Sequence, residues 1–201
     1  MPSNWSVSIV HFWAGAYPGS VGHLYSPGAQ RGPYPWLPYA LDNGAFAGFD
    51  EGAWVALLRW AALSGQAPLW VVVPDVVGDR DGTLERWEQY APVAAKFGWP
   101  LAFVAQDGMA FEDVPEDAEV VFIGGTTDWK LAALRPWCER FSRVHVGRVN
   151  TLDRLLLCHR AGAESCDGTG WGRGDKQQLN GLIRYMEMTH GNDDTLGSRL
   201  V

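Results

Sequence analysis

Polar residues of a few types recur at one kind of place in this 201-residue chain, directly after a short apolar run. Asp42 follows "PYAL", Asp75 follows "LWVVVP", and Gln106 with Asp107 follows "LAFVA". Gly124 and Gly125 follow "VVFI", Gly147 and Arg148 follow "VHV", and Asp167 follows "AESC". A single Asp in such a place is ordinarily a turn or helix-cap residue, and Asp167-Gly168 is a common turn dipeptide. Three of them together with a glutamine and two glycine-containing turns offer more. Cleaving a glycosidic bond through a charged sugar takes paired carboxylates. Glycines let a flat ligand approach backbone donors and acceptors.

These residues meet only if the apolar runs lie side by side and point the same way. The runs cover 7–12, 38–44, 69–76, 101–108, 120–125, 144–149 and 163–168, and they are nearly unbroken rather than alternating, as in parallel strands covered on both faces. Helical patterns separate them at 50–65, 81–98, 126–141, 151–162 and 174–188. Asp50 is expected to cap the first and Gly65 to stop it, with a kink at Pro92 in the second. Strand–helix alternation predicts βα units on a parallel sheet, with ligands at the C-terminal strand ends. Seven strands plus a cryptic eighth near "GHLYS" (22–26) predict a (β/α)8 TIM-type barrel, with a doubly wound open sheet as the competitor. Residues 1–190 form one catalytic domain in this reading. An irregular lobe at 15–40 holds five of the twelve prolines, and 191–201 is a weakly ordered tail.

Composition narrows the function classes. Apolar residues make up 47%, enough for a substantial core. No segment approaches the ~18 apolar residues of a membrane span, and the N-terminus lacks signal-peptide features, so a cytoplasmic protein is expected. Cys138, Cys158 and Cys166 are an odd number without CxxC spacing, which reads as free buried thiols and no metal site. The net charge of −7 argues against a generally basic nucleic-acid binder. Residues 130–184 nevertheless carry ten Lys and Arg against five acids, a patch that faces phosphate or is simply a set of solvated helix faces. Of the eleven tryptophans, Trp60, Trp70, Trp87 and Trp137 are expected in the core, and Trp13 and Trp171 are the candidates for base stacking. His11 is placed at the end of the first strand, facing the site, and His145 is read as a packed residue.

The ordered series "LDNGAF", "VPDVVGD", "FVAQDG", "VFIGGT" and "HVGRVNTLDRLLLCHRAGAESCDG" resembles the tRNA-guanine transglycosylase superfamily from about residue 38 to 170. The compact form is most similar to phage-type relatives that insert 7-deazaguanines into DNA. The resemblance implies a (β/α)8 barrel that exchanges guanine in a nucleic acid for a 7-deazaguanine, with no cofactor. It implies Asp167 as the nucleophile at C1′ and Asp42 as the general acid/base. Asp75 would accept the N1–H and exocyclic amine of the base, and Gln106 and the Gly124 and Gly125 backbone would hold its carbonyl edge. Gly147 and Arg148 complete the substrate-binding set, and Arg148, Arg173 and Lys176 are the candidates for phosphate contacts. The implied partners are DNA, single-stranded or with a flipped base, and a free 7-deazaguanine. A basic partner protein or a homo-oligomer would supply phosphate contacts that an acidic chain lacks, and the implied place is the cytoplasm, that of the host if the protein is phage-encoded.

Two departures accompany the resemblance. The C-terminal zinc subdomain of the tRNA enzymes has no counterpart here, and the first carboxylate motif reads Asp-Asn-Gly-Ala-Phe rather than Asp-Ser-Gly-Gly-Phe. The alternatives are a tRNA-guanine transglycosylase, a deazaguanine nucleosidase, and a barrel that binds a nucleobase or nucleic acid without catalysis.

Overall fold

A computed structural model describes residues 7–28, 33–168 and 175–190. Seven strands form one sheet in which each pairs in parallel with the next along the chain. They are β1 (His23–Tyr25), β2 (Tyr39–Leu41), β3 (Val71–Val72), β4 (Leu101–Ala105), β5 (Val120–Ile123), β6 (Val144–Val146) and β7 (Ser165–Cys166). The strand order never reverses, so there is no switch point and the doubly wound alternative is excluded.

Six α-helices accompany them: α1 (Val7–Ala16), α2 (Glu51–Leu63), α3 (Arg80–Ala94), α4 (Thr127–Arg140), α5 (Leu152–Ala161) and α6 (Lys176–His190). Their ends follow local chemistry. The Asp50 carboxylate accepts from the Ala53 N–H at 2.9 Å to cap α2, and Gly65, at φ 74°, turns the chain away after it. Asp79, two residues before the expected start, caps α3 through the Gly82 N–H at 3.1 Å. That helix runs through Pro92 and ends two residues later.

Alternation along the strands sorts two layers. Tyr25, Tyr39, Leu41, Val71, Val73, Phe103, Val121, Ile123, Val144 and Val146 pack under the helices in the larger core. Leu24, Ala40, Trp70, Val72, Ala102, Val104 and Val120 form a second cluster on the opposite face, with Phe122 against it. That face is concave. Trp70, just before β3, and His145 on β6 have ring centroids 4.7 Å apart, whereas strands three places apart in a flat sheet are separated by roughly 14 Å.

One expected strand is a helix. Residues 7–12 belong to α1, and the first strand is the cryptic one at 23–25. A short apolar run does not distinguish strand from helix. Here the helical turn continues to Tyr17, whose N–H donates to the Trp13 carbonyl at 2.9 Å. Trp13 is buried in the larger core, with Ala14 and Tyr17 packed against it. The described residues therefore hold seven strands, and β1 and β7 are the ends of the ladder among them. The tail 191–201 lies outside the described residues.

Candidate functional site

Continuing the inward alternation past the last inward residue of a strand leads, on β1, β2 and β4, from Leu24 to Ser26, Ala40 to Asp42 and Val104 to Gln106. On β5, β6 and β7 it leads from Phe122 to Gly124, His145 to Gly147 and Ser165 to Asp167. These residues line a cavity of about 600 Å³ at the C-terminal strand ends, floored by Leu24, Val72, Val104 and Phe122. Asp75, Gly125 and Arg148 are also in its wall. The sequence thus brings Asp42, Asp75, Gln106, Gly124, Gly125, Gly147, Arg148 and Asp167 to one place.

Asp167 is buried, with both carboxylate oxygens held. His145 Nε2 lies 3.2 Å from Oδ2, and the Arg148 N–H donates to Oδ1 at 3.1 Å. The second contact depends on the backbone of Arg148, which adopts φ 59°, a left-handed conformation that a non-glycine residue takes at some strain. Gly147 before it has no room for a side chain. A Cβ there would sit 2.6 Å from Phe122 Cε1 and 3.4 Å from Asp167 Oδ2. Burial pushes the Asp167 pKa up, but the hydrogen bond from His145 leads the opposing effects, and the carboxyl is held below the ordinary range.

Asp42 has the opposite balance. Burial dominates and raises its pKa, against the Ser26 hydroxyl donating to Oδ2 at 2.9 Å, and the negative charge of Asp167 raises it further. Asp75 is pushed up to about 6, again by burial first, and the Asn43 amide opposes the shift. Asn43 Nδ2 donates to Asp75 Oδ1 at 2.7 Å and Gln106 Nε2 to Oδ2 at 2.6 Å. Gln106 Oε1 accepts from the Gly78 N–H at 3.0 Å, and Asn43 Oδ1 from the Ala45 N–H at 2.8 Å. The two amides are therefore oriented with their donors toward the carboxylate. The site holds one carboxylate kept ionised and two kept toward the protonated form, the separation that assigns nucleophile and acid in carboxylate chemistry.

The rim adds an aromatic and a cation. Phe46, in the 3-10 turn Ala45–Ala47, is 74% exposed and lines the cavity, with the Arg148 guanidinium 5.0 Å from its ring centre. Arg148 also donates to the Gly125 carbonyl. Gly125 takes φ 61°, and a Cβ on it would strike Asp107 Oδ1 at 2.2 Å. Asp107 itself accepts from the Thr126 N–H and hydroxyl at the start of α4, a capping role. Behind the site, Lys130 of α4 is buried and donates to the Gly147 carbonyl. Burial, then the Arg148 charge, lowers its pKa to about 8.

Ser26, Asn43, Phe46, Lys130 and His145 belong to this site and escaped the sequence reading. Asn43 and Phe46 sit inside the quoted "LDNGAF". His145 precedes Gly147 by two and so shares its inward parity, a signal present in the sequence. Lys130 gives no such sign, because a lysine in a helix reads as solvated.

Other expectations change place. Trp13 is in the core and lines a second cavity of about 450 Å³, among residues that precede β1, β2, β3 and β7, away from the carboxylates. His11 is exposed on α1, edge-on to Trp36 at 5.1 Å, and ends no strand. Lys176 is exposed at the first residue of α6. Arg173 and Trp171 lie outside the described residues. Trp70, Trp87 and Trp137 are buried and Trp60 partly so. The three cysteines are free, with Cys158 buried and Cys138 and Cys166 half-buried. Among the described residues, no group of three or more His, Cys, Asp or Glu side chains is placed to hold a metal ion, and no helix is long and apolar enough to cross a membrane.

No family model matches the chain, and no curated protein matches it. Among solved structures, a chain of the Amycolatopsis orientalis BexX/CysO complex is similar over 90% of this chain and 87% of its own, at 16% identity and a TM-score of 0.55. The 3-keto-L-gulonate-6-phosphate decarboxylase of Vibrio cholerae O1 biovar El Tor covers 77% and 74%, at 14% identity and a TM-score of 0.46. At 16% identity the first likeness is one of fold alone, and the second is too weak to argue from.

Proposed function

We propose that this chain is a glycosyltransferase that exchanges guanine in DNA for a 7-deazaguanine base through a covalent aspartyl–deoxyribosyl intermediate. The observation that carries the reading is the pairing at one cavity of a buried, ionised Asp167 with an Asp42 held toward its protonated form. Asp167 attacks C1′ as the bond from C1′ to the guanine nitrogen breaks, and Asp42 delivers its proton to the departing base. The incoming 7-deazaguanine then gives a proton to the Asp42 carboxylate and attacks C1′, and the ester to Asp167 breaks. Two displacements retain the configuration at the sugar and leave the strand intact.

Asp75 receives the adjacent N–H donors of the base edge, and the amides of Asn43 and Gln106 hold its two oxygens in place for this. Gln106 and the backbone at Gly124 and Gly125 take the carbonyl edge, and Phe46 offers a face on which the base stacks. Arg148 and Lys176 contact phosphate beside the extruded nucleotide. The same reading takes the seven consecutive strands as those of a compact (β/α)8-type barrel, acting in the cytoplasm where DNA is accessible.

An exchange assay tests it. The protein is incubated with labelled guanine or a 7-deazaguanine and with single-stranded DNA or tRNA. Label entering DNA is the expected result. Label entering tRNA alone would replace DNA by tRNA as substrate, hydrolysis of a free deazaguanine nucleoside would make the chain a nucleosidase, and binding without turnover would remove catalysis altogether.

A further inference from the structure

His145 occupies a position where packing alone calls for a hydrocarbon. Its ring is wedged between Trp70 and Phe122, with centroids 4.7 and 4.6 Å away, in a face otherwise built from Leu24, Val72, Val104 and Val120. Burying an imidazole there costs free energy unless both nitrogens are used, and both are. Nδ1 lies 2.8 Å from Ser165 Oγ and Nε2 lies 3.2 Å from Asp167 Oδ2. An ionised carboxylate only accepts, so Nε2 carries the proton. Burial keeps the ring neutral, so Nδ1 accepts and the Ser165 hydroxyl donates to it. Ser165 on β7 and Asp167 directly after it are alternate residues of the same inward parity, so one short segment sets both ends of this chain of hydrogen bonds.

We propose that His145, locked by Ser165, is the positioning residue of Asp167, and that its Nε2–H makes the carboxylate a leaving group for the second displacement. This rests on the transglycosylase reading above. In the first displacement the carboxylate spends its charge in forming the ester bond to C1′, and the hydrogen bond weakens. In the second, the ester bond breaks, the electron pair returns to Asp167 and the hydrogen bond is regained. A neutral donor suits both steps, because an imidazolium would hold the carboxylate too tightly to attack. The other charged groups facing Asp167 are Asp42 at the end of β2, Lys130 from α4 and Arg148 after β6. None of these places a side-chain donor on Oδ2 among the described residues.

The test compares H145F, which keeps a ring between Trp70 and Phe122, with H145Q, whose amide nitrogen reaches the place of Nε2. Two readouts are used. One is the fraction of protein held as a denaturation-resistant DNA adduct and the rate at which a 7-deazaguanine chases it. The other is the titration midpoint of Asp167 in carboxyl-labelled protein, its signal identified by absence in D167N. H145F is expected to raise the adduct fraction, slow the chase about tenfold and move the midpoint upward, and H145Q to reverse all three. An H145F protein with the wild-type adduct fraction and midpoint overturns the proposal. If wild type forms neither adduct nor exchange product, the transglycosylase reading fails, while the midpoint still decides whether His145 acts on Asp167. If H145F does not fold, S165A, which frees the imidazole, is expected to shift the midpoint the same way by less, and an unmoved midpoint overturns the proposal.

Discussion

Asp75 gives the residue scale its clearest pH signature. Burial raises its folded pKa to about 6, against about 4 for a carboxylate in an unfolded chain. The native state therefore binds a proton that the unfolded state has lost over that interval, and folding stability falls as pH rises from about 4 to 6. D75N is expected to flatten this slope in urea melts taken at several pH values, and an unchanged slope would mean that another group carries it. Function runs the opposite way. An ionised Asp75 is the form that accepts two N–H donors, so guanine affinity is expected to climb through pH 6. In D75N the same affinity falls by roughly 10- to 150-fold, the worth of a hydrogen bond to a charged group, as read by calorimetry. Eight of the residues that line the cavity were legible as strand-end polar residues. Asn43 in the wall was not, and for His145 behind Asp167 parity gave the inward direction but no role, because an amide beside a carboxylate and a histidine inside an apolar run look the same whether they pack or position. Only the hydrogen bonds from Asn43 to Asp75 and from His145 to Asp167 separate the two cases.

At the scale of elements, the parity of the strands does most of the positioning. Every strand but β3 carries an inward residue and, two positions later, a group at the cavity. For β4, β5, β6 and β7 this alternation could be counted in the sequence. The segment 7–16 could not be decided that way, since a short apolar run suits either period. Trp13 settles it by docking α1 on the core, so W13A is expected to cost about 3–5 kcal/mol with loss of helical signal on melting; a cost near zero would detach α1 from the fold. The contact between β5 and β6 is equally exacting. G147A would drive a methyl into Phe122 at 2.6 Å and is expected to lower stability by about 1–3 kcal/mol. It also disturbs Asp167, so activity should fall by more than stability at a fixed temperature explains. A variant with the wild-type unfolding midpoint would contradict the close approach.

For the molecule as a whole, the net charge of −7 sets the terms of nucleic-acid binding. In the proposed function, long-range attraction to DNA is weak and affinity rests on a few cations. Lys176, exposed at the start of α6, is proposed as one of them. K176A is expected to reduce the dependence of log affinity on log salt by about 0.7 for single-stranded DNA, measured by fluorescence anisotropy, while leaving guanine binding alone. An unchanged salt slope would remove Lys176 from the interface. The proposed nucleophile, Asp167, is tested by trapping the protein on guanine-containing DNA, denaturing it, digesting it and locating the modified peptide by mass spectrometry. A deoxyribosyl ester on Asp167 is expected, absent in D167A and discharged by added 7-deazaguanine. Base exchange that persists in D167A, or an adduct on any other residue, would contradict it.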